Sequence, residues 1–136
     1  MVGLTPAAPA AGIIRVASDT KGSIASTTVE TEIATVTVPA NLIKNGIIVY
    51  AAIGVTGSTS DAYFRLKIGA DGSEATKQTV RLSARVGATL LNGGSLLFDD
   101  STQTWTNEIS VIVTAENNQP GAGDIATCFQ LVVEGY

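Results

Sequence analysis

Between clusters of Gly, Asn, Asp and Ser, the chain alternates apolar and polar residues with period two and seldom repeats them at helical spacing. The clearest case is Ala62-Tyr63-Phe64-Arg65-Leu66-Lys67-Ile68. Successive strand side chains point to opposite faces, so Ala62, Phe64, Leu66 and Ile68 share an inward side while Tyr63, Arg65 and Lys67 face out. The same reading of 79–86 places Val80, Leu82, Ala84 and Val86 inward and Arg81, Ser83 and Arg85 outward. Further strands are predicted at 12–17, 31–38, 46–53, 89–98, 107–115 and 125–134.

Turn signals at Asn45-Gly46, Gly57-Ser58, Asp71-Gly72, Asn92-Gly93-Gly94 and 117–123 separate these runs at the spacing of a sandwich or barrel. About eight strands in two packed antiparallel sheets result. One stretch, VTVPANLIKNG at 36–46, stops a strand at Pro39, which lacks a ladder donor, and restarts another after Asn45-Gly46. It predicts a corner at which the chain changes its place in the sandwich. The run GIIVYAAIG that follows is apolar on both faces, as expected of a strand covered by a second sheet within and by a neighbouring subunit or a loop outside.

With 136 residues the chain is long enough for one domain that removes about two-thirds of its extended surface from water. Residues 1–12 differ in kind, with Pro6 and Pro9 among alanines, no charge and no alternation. Such a segment favours extended conformations and reaches about 3 Å per residue. It is read as an arm preceding a single sandwich domain at 13–136, with Leu4, Pro6, Pro9 and Ile13 as contacts to a neighbour or partner. A frayed terminus is the plainer alternative. The opening lacks the basic and uninterrupted apolar parts of a secretory signal, and no apolar run approaches the roughly 20 residues of a membrane-spanning helix.

The net charge of −4 speaks against a nucleic-acid partner, because phosphate contact dominates such binding. Against that acidic background, Arg65 and Lys67 on one strand and Arg81 and Arg85 on another define a candidate basic stripe, provided the strands pair. An acidic protein partner would suit it; a merely solvated face is the alternative.

Candidate chemistry changes the picture little. The chain has no histidine, which removes the usual general base, the commonest metal ligand and every Ser-His or Cys-His pair. Cys128 falls in the alternating run IATCFQLVV without a local basic partner and reads as a buried, inert thiol that can form no intrachain disulfide. Asp99-Asp100-Ser101, with Asp124 and Glu116 from elsewhere, is the best oxygen-ligand set for calcium, yet it lacks the spaced pattern of a calcium loop. Glu30 and Glu32 flank Thr31 at a strand entrance. Trp105, just before NEISVIVTA, reads as a core or rim anchor rather than a sugar platform. No catalytic residue, cofactor site or metal site is assigned, and an enzyme is not expected.

The segment ETEIATVTVPANLIKNGIIVYAAIGVTGSTSDAYFRLKIG at 30–69, and the later TWTNEISVIVTA, resemble small jelly-roll structural proteins of tailed bacteriophages and related viruses. The resemblance lies in the alternating strand that ends in a proline corner, the glycine turn, the apolar strand, the strand of the R-L-x-I-G kind and the strand introduced by tryptophan. It implies an all-β antiparallel jelly roll of about eight strands with an extended N-terminal arm. By the same resemblance the chain would be a capsid decoration or cement protein. It would be made in the host cytoplasm and carried on the virion surface, bound to the major capsid protein and associated as a homotrimer. The alternative is a receptor- or carbohydrate-binding knob of a tail or head fibre, using loops at 58–61, 99–104 and 117–124.

Overall fold

Strands whose apolar residues fall on one side are stable only when that side meets another layer. The computed structural model, which describes residues 14–18, 22–25, 27–57, 61–83, 92–101, 105–118 and 124–136, realises this with antiparallel strands alone. They are β1 (Ile14–Ser18), β2 (Gly22–Ala25), β3 (Thr31–Val38), β4 (Ile47–Thr56), β5 (Ala62–Gly69), β6 (Ala75–Leu82), β7 (Asn92–Asp100), β8 (Ile109–Asn117) and β9 (Ile125–Gly135). One sheet has the order β1-β9-β4-β7, with β2 also beside β9, and the other has the order β3-β8-β5-β6. Because Ser18 lies opposite Leu131 and Gly22 opposite Cys128, β1 and β2 occupy successive stretches of one edge. The sandwich is therefore two layers of four positions, in agreement with the expected eight.

The pairing is nested. First pairs with last (β1 and β2 with β9), then β3 with β8, β4 with β7 and β5 with β6. A long hairpin rolled on itself gives this order, which is that of a jelly roll. The tip of the hairpin is the predicted Asp71-Gly72 turn, where Ser73 donates its N–H to the Ala70 carbonyl at 2.8 Å. Gly72 has a φ of 87°, a conformation that a side chain disfavours.

Between the layers, Phe64, Leu66 and Ile68 of β5 meet Val111 and Val113 of β8, Val49, Ile53 and Val55 of β4, and Leu131 and Val133 of β9 in one apolar cluster. Phe64, Leu66 and Ile68 are residues that alternation placed inside. The outer pair of strands differs from expectation: β6 spans 75–82 rather than 79–86, and β2 was not foreseen. At β6 the register slips between Leu66 and Lys67, leaving Lys77 as an extra residue and breaking the period-two pattern. The sequence GSIA of β2 carries one large apolar residue, and its strand character comes from β9, along which it lies. Ala84, Arg85 and Val86 fall outside the described residues, as do 89–91 and 12–13.

The corner at 39–46 does what its residues suggest. It carries the chain from the end of β3 in one sheet to the start of β4 in the other, with Asn41 in the left-handed region at φ 64°. Ile43, 1% exposed, closes that end of the core, and its carbonyl accepts the Trp105 N–H at 2.9 Å. The amides of Lys44, Asn45 and Gly46 converge on the Tyr136 carbonyl oxygen at 3.1, 2.5 and 3.0 Å. The turn that starts β4 thereby also fixes the end of β9.

Along one side of the sandwich, β2 crosses β3 so closely that Gly22 lies against the carbonyl of Ile33, the extra residue of a bulge between Glu32 and Ala34. Along the other side, β6 and β7 meet. Gln78 Oε1 accepts the Leu97 N–H at 2.8 Å, and Gly94 faces the Leu82 side chain.

Candidate interaction surfaces

The two layers present very different outer faces. On the β3-β8-β5-β6 sheet, the pairing that the basic stripe requires is present, with Tyr63 opposite Arg81 and Arg65 opposite Thr79 on neighbouring strands. The charge, however, is balanced. Arg65 bonds Glu116, which sits one strand over on β8, and lies 3.8 Å from Glu30. The Lys67 ammonium lies 3.2 Å from the Glu30 carboxylate, and Arg81 donates Nε to Asp61 at 2.6 Å with its guanidinium 5.7 Å from the Tyr63 ring. The stripe is thus corrected to a mixed-charge lattice in which each of Arg65, Lys67 and Arg81 has a carboxylate partner. Alternation marks which residues face out, but not which carboxylates the neighbouring strands bring beside them. Arg85 lies outside the described residues.

Glu30 is the hub of this lattice. Its carboxylate accepts the Thr114 hydroxyl at 2.7 Å, and this bond, with those from Lys67 and the charges of Lys67 and Arg65, holds its pKa below the ordinary glutamate value against the opposing effect of partial burial. A folded-state pKa below the unfolded one gives stability that is present above the unfolded value near 4.5 and is lost as pH falls through the folded value. The expected outcome is a stability that declines on acidification below about pH 4.5, and a Glu30→Gln variant with a shallower decline, read from urea midpoints between pH 7 and 3. The difference at neutral pH should stay within about 1 kcal/mol, because these pairs are partly solvated.

The outer face of the other sheet is apolar along one row. Register places Val132, Tyr50 and Leu97 side by side across β9, β4 and β7. Among the described residues the exposed large apolar side chains are Val29, Tyr50, Leu97 and Ile125. Three of them, Tyr50, Leu97 and Ile125, belong to this face, with Leu97 58% exposed. The GIIVYAAIG run is accordingly covered within, where Ile47, Val49, Ala51, Ile53 and Val55 are buried, and open without, where Ile48 is half-buried and Tyr50 exposed. The flanking rows of the same face, Glu134-Ile48-Asp99 and Gln130-Ala52-Ser95, carry polar residues, so the apolar character is confined to this row.

The remaining candidates separate. Asp100 lies opposite Ile47 and Ile125 opposite Thr56, so Asp99-Asp100-Ser101 and Asp124 sit at opposite ends of β4, about 30 Å apart. That distance dissolves the calcium set, and Glu116 is engaged by Arg65. The same geometry splits the three loops of a binding tip. The connections at 58–61 and 117–124 leave from one end, where Asn118 donates its N–H to the Asp61 carbonyl at 2.8 Å, while 99–104 leaves from the other. Residues 58–60, 102–104 and 119–123 lie outside the described residues. Asn117 holds the approach to β3, accepting the Thr27 N–H at 3.0 Å and donating to the Thr27 carbonyl at 2.6 Å. Trp105 packs against the core as an anchor. Cys128 is fully buried between the sheets, and that burial pushes its thiol up to about 11, far from the range of a nucleophile. Leu4, Pro6, Pro9 and Ile13 lie outside the described residues.

No protein-family profile and no curated protein sequence matches the chain. Solved structures do match in fold. The T13 viral particle of infectious bursal disease virus aligns with a TM-score of 0.61 at 12% identity, over 91% of this chain and 31% of that chain. The VP2 subviral particle of the same virus aligns with a TM-score of 0.57 at 16% identity, over 91% of this chain and 32% of that chain. The chain thus spans about a third of the length of these virus-particle chains. What the likeness shows is architecture: this protein has a jelly roll of the kind found in proteins of a virus particle.

Proposed function

We propose that the protein is a virion structural protein, a decoration or cement protein that binds the outer surface of a capsid and stabilises it by bridging major capsid subunits. The observation that carries this reading is the fold likeness to virus-particle proteins, which covers nearly the whole sandwich. The open apolar row supports it by offering a surface suited to a protein partner. The role is one of binding, without catalysis or cofactor. Its mechanism is mass action: a protein that binds the assembled shell and not its dissociated subunits shifts the equilibrium toward the shell. Association as a homotrimer would multiply weak contacts through effective concentration. The contacts assigned from sequence are the arm, through Leu4, Pro6, Pro9 and Ile13, and the charged face, through Arg65, Lys67, Arg81 and Arg85. Because Arg65, Lys67 and Arg81 are already paired with carboxylates, the charged face offers a partner exchange of ion pairs rather than an unmatched positive field.

Added to undecorated capsids of the virus that encodes it, the full chain should co-sediment and raise the temperature at which they break. A chain without residues 1–12 should remain folded and bind more weakly. Absence of co-sedimentation sinks the decoration reading, and undiminished retention of the truncated chain sinks the arm. A receptor- or carbohydrate-binding knob is the second reading, and it would use the connections 58–61 and 117–124, which share one end of the sandwich. Selective signal on a glycan array, without capsid binding, would put it first.

A further inference from the structure

We infer that β7 is a self-association edge, through which a second copy of this chain adds antiparallel to the first and continues the β1-β9-β4-β7 sheet across a two-fold axis at Leu97. A sheet edge displays unpaired N–H and C=O groups, and folded proteins usually blunt such edges with bulges, proline, lysine or a covering segment. The other edges are blunted in this way. β3 carries the bulge at Ile33 and lies under β2, the edge opposite β7 is split between β1 and β2, and β6 carries the bulge at Lys77. β7 is touched by Gln78 and Leu82 of β6, yet its backbone runs for nine residues, NGGSLLFDD, in unbroken register with β4 and without proline or lysine.

The edge groups can be assigned. Leu97 donates its N–H to Gln78 Oε1, so that amide points away from β4, and by antiparallel alternation the amides of Gly93, Ser95 and Asp99 point the same way; pairing at the dyad replaces the Gln78 bond with one to the second copy. The occupant follows from the sequence of the strand. Paired with itself about Leu97, β7 sets Ser95 opposite Asp99, Leu96 opposite Phe98 and Gly94 opposite Asp100. The carboxylates then meet a hydroxyl-bearing residue and a glycine instead of each other, and like charges directly opposed are what an antiparallel pair must avoid. On the outer face the exposed Leu97 meets Leu97 of the second copy, which joins the two rows of Val132, Tyr50 and Leu97 into one continuous apolar floor. On the inner face Leu96, fully buried, and Phe98, partly buried, extend the core toward the dyad. The contact is isologous, as a closed dimer requires.

This contact is independent of capsid binding and of threefold association. Light scattering on the full chain across a concentration series should show dimers, or hexamers where the threefold contact also forms. L97K and L97E should each reduce these to monomers or trimers, because equal charges then oppose at the dyad, and the exposure of Leu97 leaves the fold intact. Mixing L97K with L97E should restore the associated form, since unlike charges face each other at that position only in this register. Gln78→Ala, which uncaps the Leu97 amide, should shift wild-type association upward. A wild-type chain that stays monomeric or trimeric at every concentration overturns the contact, as does association that survives L97K. Loss in both single variants without recovery in the mixture overturns the register.

Discussion

Replacing Phe64 by alanine should remove about 3–5 kcal/mol of stability, a large part of the roughly 5–15 kcal/mol that holds a domain of this kind together. Phe64 is fully buried at the middle of β5, opposite Ala115 on β8 and Val80 on β6, and faces the second sheet. The truncation therefore loses the transfer free energy of the ring and leaves a cavity bounded by strands paired on both sides, which cannot collapse into it. Chemical denaturation should show a lower midpoint with an unchanged slope. A loss under about 1 kcal/mol would mean that the two layers do not pack around this ring as described.

Gly22→Ala should have the next largest effect, for the opposite reason. A methyl group at this position would stand 1.7 Å from the Ile33 carbonyl oxygen and 2.8 Å from its carbon, both backbone atoms. A flexible side chain could swing aside, but the bulged carbonyl is held by the pairing of β3 with β8 on either side of it. The cost should reach or exceed the ~1–3 kcal/mol of ordinary overpacking, because relief requires β2 to separate from β3 or from β9. Gly93→Ala provides the control. Its added methyl would meet only the Ile53 carbonyl oxygen, at 3.7 Å, and stability should stay within about 0.5 kcal/mol of wild type. Thermal or denaturant unfolding of the two variants side by side measures the difference, and equal effects would remove the close crossing of β2 over β3.

These two positions also mark the limit of reading by pattern. Phe64 was legible because half-burial imposes period two on β5, and the same rule located β3, β4, β8 and β9 to within a few residues. Gly22 was not, since GSIA has no alternation to read and its environment comes from segments far along the chain. β6 was placed four residues late because an edge strand with a bulge is bound by neither face rule. The basic stripe was half visible: the outward side of Arg65, Lys67 and Arg81 follows from alternation, but their partners Glu30, Glu116 and Asp61 come from the end of a connection, the neighbouring β8 and the start of β5. The carboxylates of the candidate calcium set, which the sequence left unassigned, are separated by the length of β4.

By itself, the sequence determined the all-β class, the inward residues of β5, the turns at Asn45-Gly46 and Asp71-Gly72, the proline corner, and the absence of histidine chemistry. Each is a local consequence of side-chain alternation, backbone conformational preference or composition. Only the tertiary structure decided the nested strand order, the neutralisation of one outer face, the apolar row on the other and the capping of the Leu97 amide on β7 by Gln78. Period two states which face a residue occupies and leaves open which strand lies next to it. Long-range pairing supplies that neighbour, and the neighbour decides whether an outward cation is paired and whether an outward leucine is isolated or part of a surface.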